Sequence, residues 1–290
     1  MSSPFSLEYF DPPQELSRHI LTLFRFAIDE GGDREDRHPG GLGQLVLLPR
    51  GEGAMQFGER TDEAPPGAYL FCGFSAAAPF HVTVPWHAIG ASLSPLGWAA
   101  LTGEPASKHL DSFPPASRLL GDGIIRFGDD LIDRYNRGAL TGHQACDELA
   151  SWIGDHLQPV EAAHEALIEV TIGWLGSSLN PPLDELFAAL PYSRRQSERL
   201  VERFFGLPPA ALARKFRALR ASALLSTHDL SDAAQAEIAD AFVDQSHMIR
   251  EIRKFCGYTP SRLGGPGDPI FHTMIRLKNL DRLKHFRKIV

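Results

Sequence analysis

Two stretches in the C-terminal half carry polar side chains at helical spacing that can hydrogen-bond to the bases or phosphates of a nucleic acid. The later stretch begins at Asp244 and carries Gln245, Ser246, His247, Arg250 and Arg253 on one face. The earlier stretch begins at Ser193 and carries Arg194, Arg195, Glu198, Arg199 and Glu202. Arginine and glutamine form paired hydrogen bonds with base edges in the major groove, and basic side chains also contact phosphates. Either stretch taken alone fits a solvated surface helix equally well.

Helix signals surround the later stretch. An apolar face opposes the polar one and is formed by Met248, Ile249, Ile252 and Phe255. Asp244 is expected to cap the start of this helix and Gly257 to end it, while Pro260 prevents its continuation. The pattern therefore predicts a capped amphipathic helix of about three turns, a length that suits the major groove.

The earlier stretch has the same layout, with Ser193 before it and Gly206 and Pro208 after it. Each stretch follows a short segment of apolar periodicity, 183–190 or 233–240, and a tight turn. Helix, turn and polar-faced helix, occurring twice, predict two helix-turn-helix units. The intervening segment is rich in strong helix formers and places Leu212, Phe216, Leu219 and Ala223 on one face. It is predicted to be a connecting helix that holds the two units at a fixed separation.

These motifs resemble the AraC/XylS transcriptional regulators over about residues 161–264. The resemblance rests on three blocks, which run from Ser193 to Pro209, from Leu212 to Arg220, and from Phe242 to Pro260. The third block, with its Asp-Gln-Ser-His and Gly-Tyr-x-Pro elements, is the most specific. Three positions depart from the pattern: Pro191 and Ala241 replace turn glycines, and Phe187 occupies a place where the family favours alanine. Proline cannot adopt the positive φ open to glycine, so the turn geometry is expected to depart from the family pattern.

The resemblance implies that two recognition helices enter successive major-groove segments about one helical turn apart. It assigns base contacts to Arg195, Glu198, Arg199, Gln245, Ser246, His247 and Arg250. It assigns phosphate contacts to Arg194, Arg203, Arg253 and Lys254. Glu198 would accept from a cytosine amino group or else orient a neighbouring arginine.

The charge distribution agrees with a DNA-contacting C-terminal half. From Pro181 onward there are 18 Lys and Arg against 12 Asp and Glu, whereas residues 1–180 hold 11 against 24. The balances of +6 and −13 together give the net charge of −7. Such asymmetry is typical of a basic DNA-binding module on an acidic carrier. The basic tail from Arg276 to Lys288 is predicted to form a helix that caps the DNA-binding domain, with added phosphate contacts as the alternative.

The N-terminal part has a different pattern, of short apolar or alternating runs with turn signals about every ten residues. These runs predict strands at 45–48, 54–57, 68–71, 80–84 and 88–93. A short helix is predicted over 12–20, and further helices over 97–101, 117–120, 124–135 and 143–157. The fold class is thus α+β, a small β-barrel or sandwich with flanking helices followed by an all-α double helix-turn-helix domain. The predicted boundaries are a regulatory domain over 1–158, a DNA-binding domain over 159–265 and a tail over 266–290.

Enzyme classes find no support in the sequence. His81 and His87 lie near a strand end but lack the His-x-His and glutamate pattern of metal-binding barrels, so neither a metal nor a cofactor is expected. No nucleophile elbow, dinucleotide-binding motif or phosphate loop occurs. Cys72, Cys146 and Cys256 are far apart and predict reduced thiols in a cytoplasmic protein. The sequence shows neither a secretory signal nor a membrane span.

A sensory role for the N-terminal half requires an apolar pocket, because small-molecule sites are concave and largely apolar. The candidate pocket residues are Phe57, Tyr69, Phe71, Phe80 and Trp86, with Phe74 and Trp98 as further aromatics. Double-stranded DNA is the expected partner, and RNA polymerase, a small-molecule effector and a second copy of the chain are candidates. The apolar stripe of 143–157 fits either pairing of two chains or packing within its own domain. The alternative function is a ligand- or protein-binding module whose helix-turn-helix domain no longer binds DNA.

Overall fold

The protein, represented by a computed structural model that describes residues 5–226 and 230–262, divides into two compact units. The first unit comprises Met1–Glu35, Leu42–Phe74 and Ala78–Val160, and the second comprises Asp36–Gly41, Ser75–Ala77 and Glu161–Val290. The second unit is therefore not one continuous stretch of sequence. The predicted tail 266–290 lies outside the described residues.

Antiparallel sheets dominate the first part of the chain. The strands are β1 (Ser6–Phe10), β2 (Ile20–Ile28), β3 (Arg34–His38), β4 (Gln44–Arg50), β5 (Gly53–Phe57), β6 (Arg60–Ala64), β7 (Gly67–Phe71), β8 (Ala78–Val82) and β9 (Trp86–Leu93). One sheet has the order β1-β2-β9-β4-β7 and the other the order β3-β8-β5-β6. In the larger sheet, Leu45 pairs with Leu70 and with Ala91 across the two neighbouring strands. All three side chains are fully buried, so this sheet forms one wall of the hydrophobic core.

Four helices complete the first unit: α1 (Pro95–Thr102), α2 (Ser117–Leu120), α3 (Gly123–Asn136) and α4 (Gly142–His156). Helix α3 packs on β4 and β7, and α4 packs on β2 and β9. The apolar stripe of α4 faces this sheet, since Ala145, Leu149 and Ile153 are fully buried. The stripe therefore packs within its own unit, which is one of the two arrangements that the sequence left open.

The predicted α+β order is confirmed, but the N-terminal elements need correction. The helix predicted over 12–20 is wrong, because that segment contains only a 3₁₀ turn at Gln14–Leu16 and the chain then enters β2. Strand β2 lies inside the larger sheet, and helix α4 covers that sheet. None of its nine residues is exposed, so they are mostly apolar and lack the alternation that marks a half-exposed strand. Strands β1, β3 and β6 were not anticipated.

The second unit contains α5 (Ala162–Leu175), α6 (Leu183–Ala189), α7 (Arg194–Phe205), α8 (Pro209–Leu225), α9 (Asp232–Ala241) and α10 (Gln245–Cys256). Helices α6 and α7 form the first predicted helix-turn-helix unit, and α9 and α10 form the second. The connecting helix α8 packs against both α7 and α10. Apolar residues of α8, α9 and α10 share one core, which includes Leu219, Ile238, Ile252 and Phe255. In the part of the chain that is described, no helix is long and apolar enough to cross a membrane.

Candidate nucleic-acid interface

Helices α7 and α10 are built alike, with 12 residues each and matching caps. The Ser193 hydroxyl accepts a hydrogen bond from the Gln196 amide at 3.4 Å, and the Asp244 carboxylate accepts one from the His247 amide at 2.7 Å. Each helix ends at a glycine with φ of 82°, Gly206 in one case and Gly257 in the other. Glycine adopts this left-handed conformation without steric cost. The predicted caps at Asp244 and Gly257 are confirmed.

Neither helix-turn-helix turn uses the positive φ that glycine provides. Leu190, which ends α6, has φ of −98° and ψ of 138°, and Phe242, which ends α9, has φ of −123° and ψ of 147°. Among the described residues, only Asp111 is a non-glycine with positive φ. The chain leaves both first helices in extended conformations, and Pro191 and Ala241 are compatible with such turns.

The outer face of α7 presents a stripe of arginines. Arg195, Arg199 and Arg203 follow one another at i, i+4 and i+8, and all three are exposed. Arg194 lies beside this stripe, where its Nε is 3.5 Å from the Glu198 carboxylate and its guanidinium is 4.7 Å from the centre of the Phe187 ring. Phe187, which departs from the family pattern, therefore forms a cation–π contact with Arg194 at the start of α7.

The outer face of α10 presents Gln245, Ser246, Arg250, Arg253 and Lys254, all exposed. His247 is different, because both of its ring nitrogens have partners within the protein. Its Nε2 lies 3.3 Å from the Glu251 carboxylate, and its Nδ1 accepts a hydrogen bond from the Val243 amide at 3.4 Å. The geometry thus places the imidazole against its own helix and the preceding turn.

A buried arginine, Arg217 of α8, joins the connecting helix to the second helix-turn-helix unit. Its Nε and Nη2 donate to Glu251 of α10 at 3.0 and 2.6 Å, and its Nη1 donates to the Ala241 carbonyl at 3.1 Å and to Asn180 at 2.7 Å. The Arg217 and Glu251 side chains are only 8% and 10% exposed. Sequence reasoning missed this network, because Arg217 and Glu251 lie 34 residues apart in the chain. This cation is therefore engaged within the domain and is not available to DNA.

Two short segments from earlier in the chain belong to this same unit. The Tyr258 hydroxyl donates to the Asp36 carboxylate at 2.5 Å, and the Ala77 amide donates to the Lys254 carbonyl at 2.9 Å. The buried Lys215 ammonium of α8 donates to the Gly40 carbonyl. Burial raises the pKa of the Tyr258 hydroxyl, and its hydrogen bond to Asp36 acts in the same direction. Residues 36–41 and 75–77 therefore help to hold α8 and the end of α10.

Four of the five candidate pocket aromatics of the first unit pack against other aromatic rings. The Tyr69 and Phe71 rings lie 4.9 and 4.1 Å from the Phe113 ring, and the Phe57 ring lies 4.8 Å from Phe74. Trp86 packs edge-on against Phe26 at 5.3 Å, and Phe80 is partly buried on β8. Phe74 and Trp98 are buried in the core. Phe26 and Phe113 were not among the predicted aromatics.

His87, considered above as a metal ligand, is buried and belongs to a hydrogen-bond chain that ends at the exposed Asp29. Its Nε2 lies 2.8 Å from Asp29, its Nδ1 lies 2.9 Å from the Tyr135 hydroxyl, and Arg25 Nε donates to that hydroxyl at 2.8 Å. All three bonds form when the imidazole is neutral. The Tyr135 hydroxyl accepts from Arg25 and donates to Nδ1, while Nε2 carries the proton and donates to Asp29. Burial lowers the pKa of His87, which agrees with this arrangement. No group of three His, Cys, Asp or Glu residues in the described chain could hold a metal ion.

A comparison with protein-family models matches residues 186–264 to the family described as "Helix-turn-helix domain". This segment begins within α6, contains α7 to α10 and so includes both predicted recognition helices. It is of the AraC type. A comparison with curated protein sequences found no match.

Solved structures with a similar chain path include ToxT from Vibrio cholerae O395, with 11% identity and a TM-score of 0.46 over 91% of this chain and 99% of that chain. A second crystal form of ToxT from Vibrio cholerae has 10% identity and a TM-score of 0.47, covering 89% and 97% of the respective chains. The AraC-like transcriptional activator CuxR has 14% identity and a TM-score of 0.31 over 75% of this chain and 86% of its own.

Proposed function

We propose that this protein, whose residues 186–264 form an AraC-type helix-turn-helix domain, is a sequence-specific DNA-binding regulator of transcription. The observation that carries the proposal is the pair of capped helices, α7 and α10, whose outer faces present arginine and amide side chains to solvent. Helix α8 packs against both and sets their spacing. Recognition helices of this kind insert their N-terminal residues into the major groove.

The exposed residues divide by position into two roles. Arg195 and Arg199 of α7, and Gln245, Ser246 and Arg250 of α10, lie in the first half of their helices and are assigned to base contacts. Arg203, Arg253 and Lys254 lie in the second half and are assigned to phosphates, as is Arg194 at the edge of the first stripe.

Two residues predicted to contact bases take indirect roles in this proposal. Glu198 pairs with Arg194 and so orients a cation, which is one of the roles expected for it. His247 uses both ring nitrogens within the protein, so we assign it to positioning the start of α10. Its hydrogen bond from the Val243 amide ties the turn to the recognition helix.

We also propose that the first unit regulates DNA binding. The aromatic residues Phe57, Tyr69, Phe71, Phe80 and Trp86 remain its candidate effector contacts, because small-molecule sites are largely apolar. Three of them, Phe57, Phe71 and Phe80, are partly exposed, whereas Tyr69 and Trp86 are buried. RNA polymerase and a second copy of the chain remain candidate partners.

The test is selection of binding sites from random double-stranded DNA by the full-length protein, followed by titration of the enriched site at several salt concentrations. We expect a two-part motif whose halves are centred about one helical turn, roughly 10 base pairs, apart. The logarithm of the binding constant should fall linearly with the logarithm of the salt concentration. Absence of any enriched motif, together with a flat salt response, would refute DNA recognition and favour the ligand- or protein-binding alternative.

Two variants of the same helix separate base contacts from phosphate contacts. Arg250→Ala should weaken binding to the selected site by about 1–3 kcal/mol and relax one base position of the motif. Arg253→Ala, the matched control, should weaken binding to all sequences alike and lower the salt slope by about one. If both variants lose equal affinity for selected and for random DNA, Arg250 would be reassigned from base contacts to phosphate contacts.

A further inference from the structure

Val243 combines an apolar side chain with near-complete exposure. Its exposed fraction is 87%, and the other exposed large hydrophobic side chain among the described residues is Ile125 at 44%. Val243 lies in the turn of the second helix-turn-helix unit, two residues before the start of α10. Burying a valine side chain is favourable, so the free protein carries an unfavourable exposure at this point.

The backbone around Val243 is held on both sides. Phe242 is buried and lies 4.9 Å from the Arg217 guanidinium, while Asp244 caps α10 through the His247 amide. The Val243 amide itself donates to His247 Nδ1 at 3.4 Å. Because a β-branched side chain also has few χ1 rotamers, the isopropyl group has a nearly fixed direction. Little conformational entropy is lost if this group meets a partner.

The position of Val243 in the helix-turn-helix unit indicates which chemical group it can contact. In helix-turn-helix proteins the N-terminal end of the recognition helix meets the base edges in the major groove. The apolar group that a base pair presents there is the C5-methyl group of thymine. The neighbouring exposed residues, Gln245 and Ser246, have polar ends that suit hydrogen bonds, whereas the side chain of Val243 is wholly apolar.

We propose that Val243 contacts the 5-methyl group of a thymine in the half-site bound by α10 and so determines specificity at that base pair. The inference rests on the proposed DNA-binding function and deepens it. Removing one methyl group from this contact should weaken binding about fourfold, the fold-change that corresponds to the burial of one CH₂ group. A protein partner, such as a component of the transcription machinery, is the competing occupant of an exposed apolar side chain.

The test uses the full-length protein and the DNA site selected above, with each thymine replaced in turn by deoxyuridine, which lacks the methyl group. For the wild type, one replacement in the α10 half-site should weaken binding about fourfold. For Val243→Ala, which removes two methyl groups, the unmodified site should bind at least about fourfold more weakly, and the same replacement should have a much smaller further effect. Ile125→Ala in the first unit is the matched control and should retain the wild-type response.

Three results would overturn the inference. The first is a wild type that tolerates deoxyuridine at every position, and the second is a Val243→Ala variant that keeps the full deoxyuridine effect. The third is a Val243→Ala variant with unchanged DNA affinity but reduced transcription in a reconstituted assay, which would place a protein partner on this residue. These failures differ from failure of the proposed function, in which selection yields no motif at all.

Discussion

Removal of Glu251 should loosen the second recognition helix far more than removal of an exposed glutamate. In Glu251→Leu, Arg217 keeps its hydrogen bonds to Asn180 and the Ala241 carbonyl but loses both bonds to the carboxylate. Arg217 then remains a buried cation without a counter-ion, since its side chain is 8% exposed. Breaking a buried pair from one side costs about 3–5 kcal/mol.

Hydrogen exchange of the α10 amides in the full-length protein measures this cost locally. A loss of about 3 kcal/mol lowers protection against exchange by roughly 100-fold, because 1.4 kcal/mol corresponds to a factor of ten. The double variant Arg217→Met/Glu251→Leu removes both charges and should recover most of the protection. Glu202→Leu, on the exposed face of α7, is the matched control and should change little. Unchanged protection in Glu251→Leu, or a double variant no better protected than the single one, would refute the reasoning.

Two further predictions concern the cap of α10 and the buried histidine of the first unit. Asp244→Ala removes the acceptor for the His247 amide and should destabilise the first turn of α10 by about 0.5–2 kcal/mol, seen as faster exchange there, whereas Asp244→Ser should retain most of the cap. Because burial lowers the pKa of His87 from its ordinary value of 6.5, the folded protein binds fewer protons than the unfolded chain just below that pH. Stability should therefore fall as the pH drops from about 6.5. In thermal denaturation, His87→Gln should reduce this dependence of stability on pH. An unaltered dependence would contradict the neutral state assigned to the buried His87.

The helices that carry the candidate interface were predictable because their signals are local. Ser193 and Asp244 cap the helix starts, Gly206 and Gly257 end them, and apolar residues at helical spacing mark the inner faces. These signals lie within a few residues of one another in sequence. The chain therefore specifies both helices without reference to distant contacts.

The parts that sequence reasoning missed depend on contacts between residues far apart in the chain. Strand β2 has no clear alternation because none of its residues is exposed on either face, and only the fold reveals the neighbours that cover them. Arg217 meets Glu251 across 34 residues, so its role as a buried cation cannot be inferred from the basic pattern of α8 alone. His247 illustrates the same limit, because its residue type suits base contacts while its ring nitrogens are engaged within the protein.

The discontinuous sequence of the second unit restricts how this protein can be divided. A fragment that begins at Glu161 would contain every helix of the DNA-binding domain but none of residues 36–41 and 75–77. Lys215 would lose the Gly40 carbonyl, Tyr258 would lose the Asp36 carboxylate, and the Lys254 carbonyl would lose the Ala77 amide. Cleavage or truncation between the two units would thus remove these three hydrogen bonds from the DNA-binding fragment.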